Sequence, residues 1–374
     1  MKIGLLTYYG DLNCGTNLQA YAALLALRKV FPNDAAEVIP FHGFTPPGKH
    51  PYLHHCTISS LCKDFKRILK YNQFVKDSLG VKHDVIIKNV GKALSYIREK
   101  QYDRIYIGAD TLLELDRIPN ENILSAYWLS PTIKAKKYFL AASAKNTICE
   151  DLSDSQKRLM QETLSDFSGY GVRDINTAKL IRNFVESFKV ELVPDPTFSL
   201  EIDNKYVDNY LKNKRLSISK KSLLFHTNKE DTWAKDVALS FKKLGFKIYS
   251  LRPYPWADVI LNDMSPLEQL GIYHYFECVI THRFHDAIFC LKNKTPLFLY
   301  SPQGFGTGVN GSSKFIDLME NFGLRDICFV ANPSVDVVNR LGQMRQIFKS
   351  KIPYIEKQLM EYKNTFINYI SDGK

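Results

Sequence analysis

Short apolar runs recur along this chain with amphipathic segments between them, and that alternation restricts the fold more than any other feature of the sequence. A strand flanked by helical patterns is covered on both faces, and a succession of such units builds a parallel sheet. Residues 2–8, 104–107, 137–141, 170–173 and 190–193 read as strands of one series. Residues 223–226, 247–251, 278–281 and 296–300 read as a second series, with helical patterns at 232–244, 266–276 and 284–291 between them. The polar stretch 201–215, with Asp203, Asn204, Asp208, Asn209 and Asn213, separates the two as a short helix or linker. The expected fold is α/β, with two Rossmann-like domains, 1–205 and 216–334, facing a cleft. A long C-terminal helical pattern over 335–374, broken at Pro353, is expected to pack back across both.

The 374 residues suffice for two cores, and 45% hydrophobic with 24% charged residues is a globular composition. No apolar run is long enough to span a membrane. The opening segment, Met1 to Gly10, ends in a glycine turn without a small-residue cleavage site and reads as a first strand, not a signal peptide. Seven cysteines, at 14, 56, 62, 149, 278, 290 and 328, are scattered singly, as expected of free thiols in a reducing cytoplasm. Neither they nor the pair His54-His55 beside Cys56 has metal-ligand spacing, so no metal is expected. The net charge of +11 favours anionic partners: phosphates, nucleic acid or an acidic membrane surface.

An insertion at 44–83 begins with Pro46, Pro47 and Pro51 and continues as a helical pattern over 58–79. Leu61, Phe65, Ile68, Leu69 and Leu79 lie near one face of it, flanked by Lys63, Lys66, Arg67, Lys70 and Lys76. Such a helix either packs on its own domain or rests on an anionic membrane.

The strongest local signal is Thr281-His282-Arg283-Phe284-His285-Asp286, where a strand pattern gives way to a helical one. Ligands of open α/β sheets bind at such strand ends. Arg283 suits a bidentate clamp on phosphate or carboxylate, and His285 suits proton exchange near neutral pH. Arg173 in Gly171-Val172-Arg173-Asp174 closes another strand and either reaches the same cleft or forms a local surface pair with Asp174. The loop 10–17 precedes a helix at 18–30, and its residues Asn13, Gly15 and Asn17 are candidates to line a ligand at the helix start. It is no nucleotide fingerprint. A second small-residue loop, 304–313, leads to Lys314 and is either anion-binding or a plain connection. Asp110 closes a strand and is a candidate general base, whereas Asp195, between Pro194 and Pro196, serves either as a base or to fix a turn.

These blocks together resemble the polysaccharide pyruvyl transferase family. The opening Met1-Lys2-Ile3-Gly4-Leu5-Leu6-Thr7 with Asn13, Gly15 and Leu18-Gln19-Ala20-Tyr21-Ala22 is followed, in the family's order, by Ile107-Gly108-Ala109-Asp110, Gly171-Val172-Arg173-Asp174, Val193-Pro194-Asp195-Pro196-Thr197 and Thr281-His282-Arg283-Phe284-His285. The resemblance spans about residues 1–330 and implies a GT-B-like fold, with the acceptor on the N-terminal domain and the donor on the C-terminal domain. It implies phosphoenolpyruvate as donor substrate, no cofactor, and a ketal-linked pyruvate on a sugar as product. Arg283 and His285 match the family's donor-site arginine and histidine, and Arg173 its second arginine. In that reading His285 is the acid and Asp110 the base. Arg173, Asn13, Gly15, Asn17 and Lys314 bind substrate. Asp286 stands where the family has glycine, and it would weaken donor binding if it pointed at the donor. The acceptor is expected to be lipid-diphosphate-linked, with peripheral contact to an anionic membrane and no nucleic acid. The alternatives by class are a GT-B glycosyltransferase that uses a nucleotide sugar, and an inactive anion-binding homologue.

Overall fold

The computed structural model describes residues 1–42, 58–115, 126–145, 147–228, 231–300, 314–330 and 336–373, with the backbone alone at 58–63, 83 and 329. The prolines at 46, 47 and 51, the segment His54-His55-Cys56 and the loop 304–313 lie outside them.

Two parallel sheets organise the chain. The first has six strands in the order β2-β1-β3-β4-β5-β6: β1 (Lys2–Leu6), β2 (Ala35–Val38), β3 (Arg104–Asp110), β4 (Lys136–Ala142), β5 (Phe167–Val172) and β6 (Val190–Leu192). The second has the order β12-β11-β10-β7-β8-β9: β7 (Ser222–His226), β8 (Lys247–Ser250), β9 (Val259–Ile260), β10 (Cys278–Thr281), β11 (Leu297–Tyr300) and β12 (Phe329–Val330). Both are the open, helix-covered sheets expected of an α/β chain, and together they make a GT-B-like arrangement. Short β2, β9 and β12 carry too few apolar residues to show in the sequence pattern. The stretch 201–215 is a helix, Asn204–Lys214, capped by Asp203, whose side chain accepts from the Lys205 amide.

The first helix, α1 (Cys14–Val30), is buried nearly all round, because it lies between the first sheet and elements of the second unit. Asn13 caps it by accepting from the Gly15 amide at 3.2 Å. The insertion helix, α2 (Ile58–Leu79), packs through Tyr71, Phe74, Val75 and Leu79. Phe65 and Leu69, grouped by periodicity with the packing face, are instead 60% and 50% exposed, since the helix rotates to bury its aromatic pair. Among the described residues, no helix is long and apolar enough to cross a membrane.

The C-terminal helix, Val337–Asp372, ties the two units together and continues through Pro353. The bond that proline forfeits would go to the carbonyl of exposed Lys349, and buried Phe348 and Ile355 hold the helix on either side. Arg345 pairs with Glu277 of the second unit. A few turns later the Tyr369 hydroxyl donates to the Phe139 carbonyl at 2.8 Å and accepts from the Gly171 amide at 2.7 Å on the first sheet. A Cβ at Gly171 would lie 2.5 Å from Tyr369 Cζ, which explains a glycine inside β5. One apolar core runs from Ile3 in β1 through the second sheet to Ile370.

Replacing Tyr369 by Phe leaves a buried N–H and a buried C=O short of a partner. Urea denaturation of Tyr369→Phe is expected to show a loss of about 1–3 kcal/mol, and an unchanged midpoint would show that the hydroxyl does not brace the sheet.

Candidate active site in the interdomain crevice

Carboxyl ends of strands from both sheets meet at the start of α1. Gly15 is the closest approach: a Cβ there would lie 2.1 Å from Nδ1 of His285, so the imidazole lies directly on the helix backbone. Only glycine admits that contact.

Beneath the ring sits Asp195, which is buried. Its Oδ1 accepts from the amide and hydroxyl of Thr197, at 3.0 and 2.6 Å, and so fixes the Pro196–Ser199 turn. Its Oδ2 accepts from Gln19 Nε2 at 2.6 Å and faces Arg173 Nη1 at 3.4 Å and His285 Nε2 at 3.5 Å. The last distance is long for a directed hydrogen bond, so the attraction there is chiefly coulombic. Burial alone would raise this carboxyl, but the His285 ring, the Arg173 guanidinium and Thr197 outweigh it and hold Asp195 well below the carboxylate range. Of the two readings left open for Asp195, the geometry joins the turn to the site.

Asp110 lies across Arg173, whose Nη2 is 3.9 Å from Asp110 Oδ1. Its Oδ2 accepts from the Thr16 hydroxyl at 3.1 Å and its Oδ1 from the Thr111 amide at 2.9 Å. Burial is again outweighed, here by Arg173, His285 and Lys314, and Asp110 is ionised at neutral pH. Ala109 and Asp110 have φ of 36° and 74°, the left-handed region that non-glycine residues rarely adopt, so the strand end is held in strain where it presents its carboxylate. Asp110 and Asn13 line a cavity of about 230 Å³ with Tyr8, Asp11, Thr16, His42 and Thr111.

Arg173 and Lys314 both lie against the Phe284 ring. The guanidinium carbon is 5.8 Å and the ammonium 5.0 Å from the centroid of the Phe284 ring. Desolvation of the ammonium, then the charge of Arg173, lowers Lys314 to about 8.

Arg283 belongs to an adjacent group. Its amide donates to Thr281 Oγ1 at 3.0 Å, and its charge acts on His226, His282, Arg252 and Cys14. Arg283 follows the end of β10, two residues before His285. Asp286, the residue in place of glycine, turns into the second unit: its carboxylate takes His226 Nδ1 at 2.6 Å, the Tyr273 hydroxyl at 2.8 Å and the Thr281 hydroxyl at 2.8 Å. Asn17 is buried and its amide is spent on the preceding loop, accepting from the Gly10 amide at 3.0 Å and donating to the Asp11 and Asn13 carbonyls at 2.6 and 2.9 Å.

Thr16 and Gln19 were not singled out by the sequence reading. Their i,i+3 spacing on α1 puts them on one face, a signal that acquires meaning only once the two aspartates they bond are known to lie there. Among the described residues no group of three His, Cys, Asp or Glu is arranged to hold a metal.

The sequence matches the polysaccharide pyruvyl transferase family over residues 13–304. No curated protein matches it. Similar solved structures include a UDP-N-acetylglucosamine 2-epimerase with TM-score 0.56 and 8% identity, covering 99% of this chain and 94% of that one. Others are the UDP-GlcNAc 2-epimerase of Neisseria meningitidis bound to UDP-GlcNAc (0.54, 11%, 98% and 97%) and that of Methanocaldococcus jannaschii (0.52, 11%, 93% and 92%). At such identities the likeness is one of fold.

Burial, with the nearby arginine charges, lowers His226 and His282 to about 4, Asp286 pulling the other way in each case. An unfolded histidine titrates near 6.5. Between about 6.5 and 4 the unfolded chain therefore binds protons that the folded chain refuses, and stability falls as pH drops through that window. Urea midpoints measured from pH 7.5 to 4.5 are expected to decline, less steeply in His226→Gln; identical slopes would show that His226 is not held neutral.

Proposed function

Since the chain belongs to the polysaccharide pyruvyl transferase family, we propose that it moves the pyruvyl group of phosphoenolpyruvate onto two hydroxyls of a sugar as a cyclic ketal, with release of phosphate. The observation that carries this reading is the grouping of His285 from one unit with Arg173 and Asp110 from the other around buried Asp195. Their meeting supports the roles of proton donor for His285, anion clamp for Arg173 and carboxylate base for Asp110.

The donor bears a carboxylate and a phosphate, and Arg173 with Lys314, then Arg283 beyond His285, supply the positive charge that neutralises them. His285 gives its proton to the methylene carbon, which becomes a methyl group, and the central carbon becomes an oxocarbenium-like electrophile. One sugar hydroxyl bonds to that carbon and passes its proton to Asp110. The second hydroxyl bonds to the same carbon as the carbon–oxygen bond to phosphate breaks, and its proton leaves with the phosphate. Return of a proton from Asp110 to His285 resets the pair, so one donor and one diol yield one ketal and one phosphate. Ionised Asp195 orients His285 and Arg173 throughout. The cavity of about 230 Å³ beside Asp110 suits the hydroxyl-bearing face of the acceptor sugar.

The acceptor in this reading is a lipid-diphosphate-linked oligosaccharide or surface polysaccharide precursor at the inner membrane face. The net charge of +11 and the exposed Phe65 and Leu69 beside Lys66 on α2 favour peripheral contact with an anionic surface.

Incubated with phosphoenolpyruvate and a panel of polyprenyl-diphosphate saccharides, the protein is expected to release phosphate only when an acceptor is present, and the acceptor to gain one pyruvate less water. Arg283→Ala is expected to abolish the gain, and His285→Ala or Arg173→Ala to lower turnover by about a hundredfold or more. Release of nucleotide from a nucleotide sugar, with phosphoenolpyruvate untouched, would overturn the reading. Gly15→Ala tests the placement of the imidazole: its methyl must displace the ring, with an expected loss of about a hundredfold in turnover, and wild-type turnover would show that His285 does not act from the start of α1.

A further inference from the structure

Two hydroxyls of one sugar must reach one carbon in the reaction proposed above, and Asp110 accounts for the first alone. The cavity of about 230 Å³ beside Asp110 is built entirely from the carboxyl edge of the first sheet and the start of α1. Asp11 reaches it from the loop after β1, and His42 from the chain after β2. Both loops are held in place. Gly10, at φ of 86°, turns the first, and Asn17 fixes the turn by accepting from the Gly10 amide at 3.0 Å and donating to the Asp11 carbonyl at 2.6 Å. The His42 amide donates to the Ile87 carbonyl at 2.8 Å, and the His42 ring meets Tyr9 edge to face, with centroids 5.9 Å apart. Tyr8, which also lines the cavity, is propped by buried Tyr127 at 5.0 Å and 82°.

His42 Nε2 stands 3.5 Å from Asp11 Oδ1, too long for a directed hydrogen bond and placed so that one hydroxyl can touch both. The Asp11 side chain is 56% exposed, so its carboxylate is open to a ligand. Asp110 accepts from Thr16 and Thr111 and keeps lone pairs beyond those two bonds. Among the described residues, the lining holds these two carboxylates and neither lysine nor arginine. Carboxylates accept strongly from hydroxyls, but a further carboxylate brought against them is repelled.

From this cavity we propose that Asp11 and His42 determine which sugar is accepted: together they bind the hydroxyl that closes the ketal ring, while Asp110 takes the first hydroxyl. The lining then admits a neutral sugar ring and refuses a uronate. This assignment rests on the function proposed above and deepens it on the acceptor side. The chain thus divides its recognition by charge. Cations Arg173 and Lys314, against Phe284, serve the anionic donor, and carboxylates across Asp110 serve an uncharged diol.

Saturation-transfer NMR titrations of the full chain with methyl glycosides, without donor, test the assignment. The probes are the methyl glycosides of galactose, glucose and mannose, each beside that of its uronic acid. At least one neutral glycoside is expected to bind, and its uronate to bind about tenfold or more weakly. Asp11→Asn is expected to narrow that gap to about threefold or less. His42→Phe keeps the ring against Tyr9 but removes its nitrogens, and is expected to weaken the neutral glycoside about tenfold. Phosphoenolpyruvate affinity is expected to stay within about twofold in both variants. Should His42→Phe fail to fold, as circular dichroism would show, Asp11→Asn at its exposed position still decides. A uronate bound as tightly as its neutral parent, no neutral glycoside bound at all, or discrimination that Asp11→Asn leaves unchanged overturns the proposal. Sugar binding with this selectivity stands even where no phosphate is released from phosphoenolpyruvate, so failure of the donor reading is distinguishable from failure of this one.

Discussion

The buried carboxylate of Asp195 is the contact on which the rest of the crevice depends. An unpaired charge there would be prohibitively costly, so the fold must bring it partners from every side. Gln19 comes from α1, Thr197 from the turn that follows, Arg173 from the end of β5 and His285 from the second unit. Satisfying this one group therefore sets the distance between two sheets that share no strand. The close approach of His285 to Gly15 and the grip of the C-terminal helix on β4 and β5 serve the same geometry.

The crevice divides its charges unevenly. Around Asp195 and Asp110, cations and carboxylates nearly balance, with Arg173 and Lys314 facing the two aspartates. Around Arg283 the balance is absent: Arg252 adds charge, while Asp286 is turned away into the second unit and occupied. Its carboxyl is held well below the usual carboxylate range, since burial opposes ionisation and His226 with Arg283 overcomes it. Asp286 thus anchors the end of β7 through His226.

Much of the fold was legible because parallel strands announce themselves. Cys278–Thr281 and the helix Ile58–Leu79 have the bounds read from the pattern, and most other strands differ by a residue or so at the ends. The elements that escaped include short β2, β9 and β12 and the helices Val90–Lys100, Asp154–Leu164, Lys314–Asn321 and Arg325–Cys328. The helix break at Pro353 was misjudged because local chemistry predicts it, whereas packing on both sides of the proline overrides it. In the site, Arg173, Asp110, Arg283, His285 and Lys314 were legible as polar residues at strand or loop ends. Gln19, Thr16 and His42 were not, since each looks like an ordinary helical or loop residue until its distant partner is in place.

By itself the sequence determined the α/β class, the two series of strands and the strand ends at which charged side chains emerge, because these follow from local periodicity. Only the tertiary structure decided which of those ends share a point in space. It set Arg173 with His285 on Asp195, placed Asp11 and His42 in one cavity with Asp110, and turned Asp286 inward. These pairings join residues far apart in the chain, and nothing in local pattern encodes them; they arise from burying two sheets, one long helix and an ionised carboxylate together.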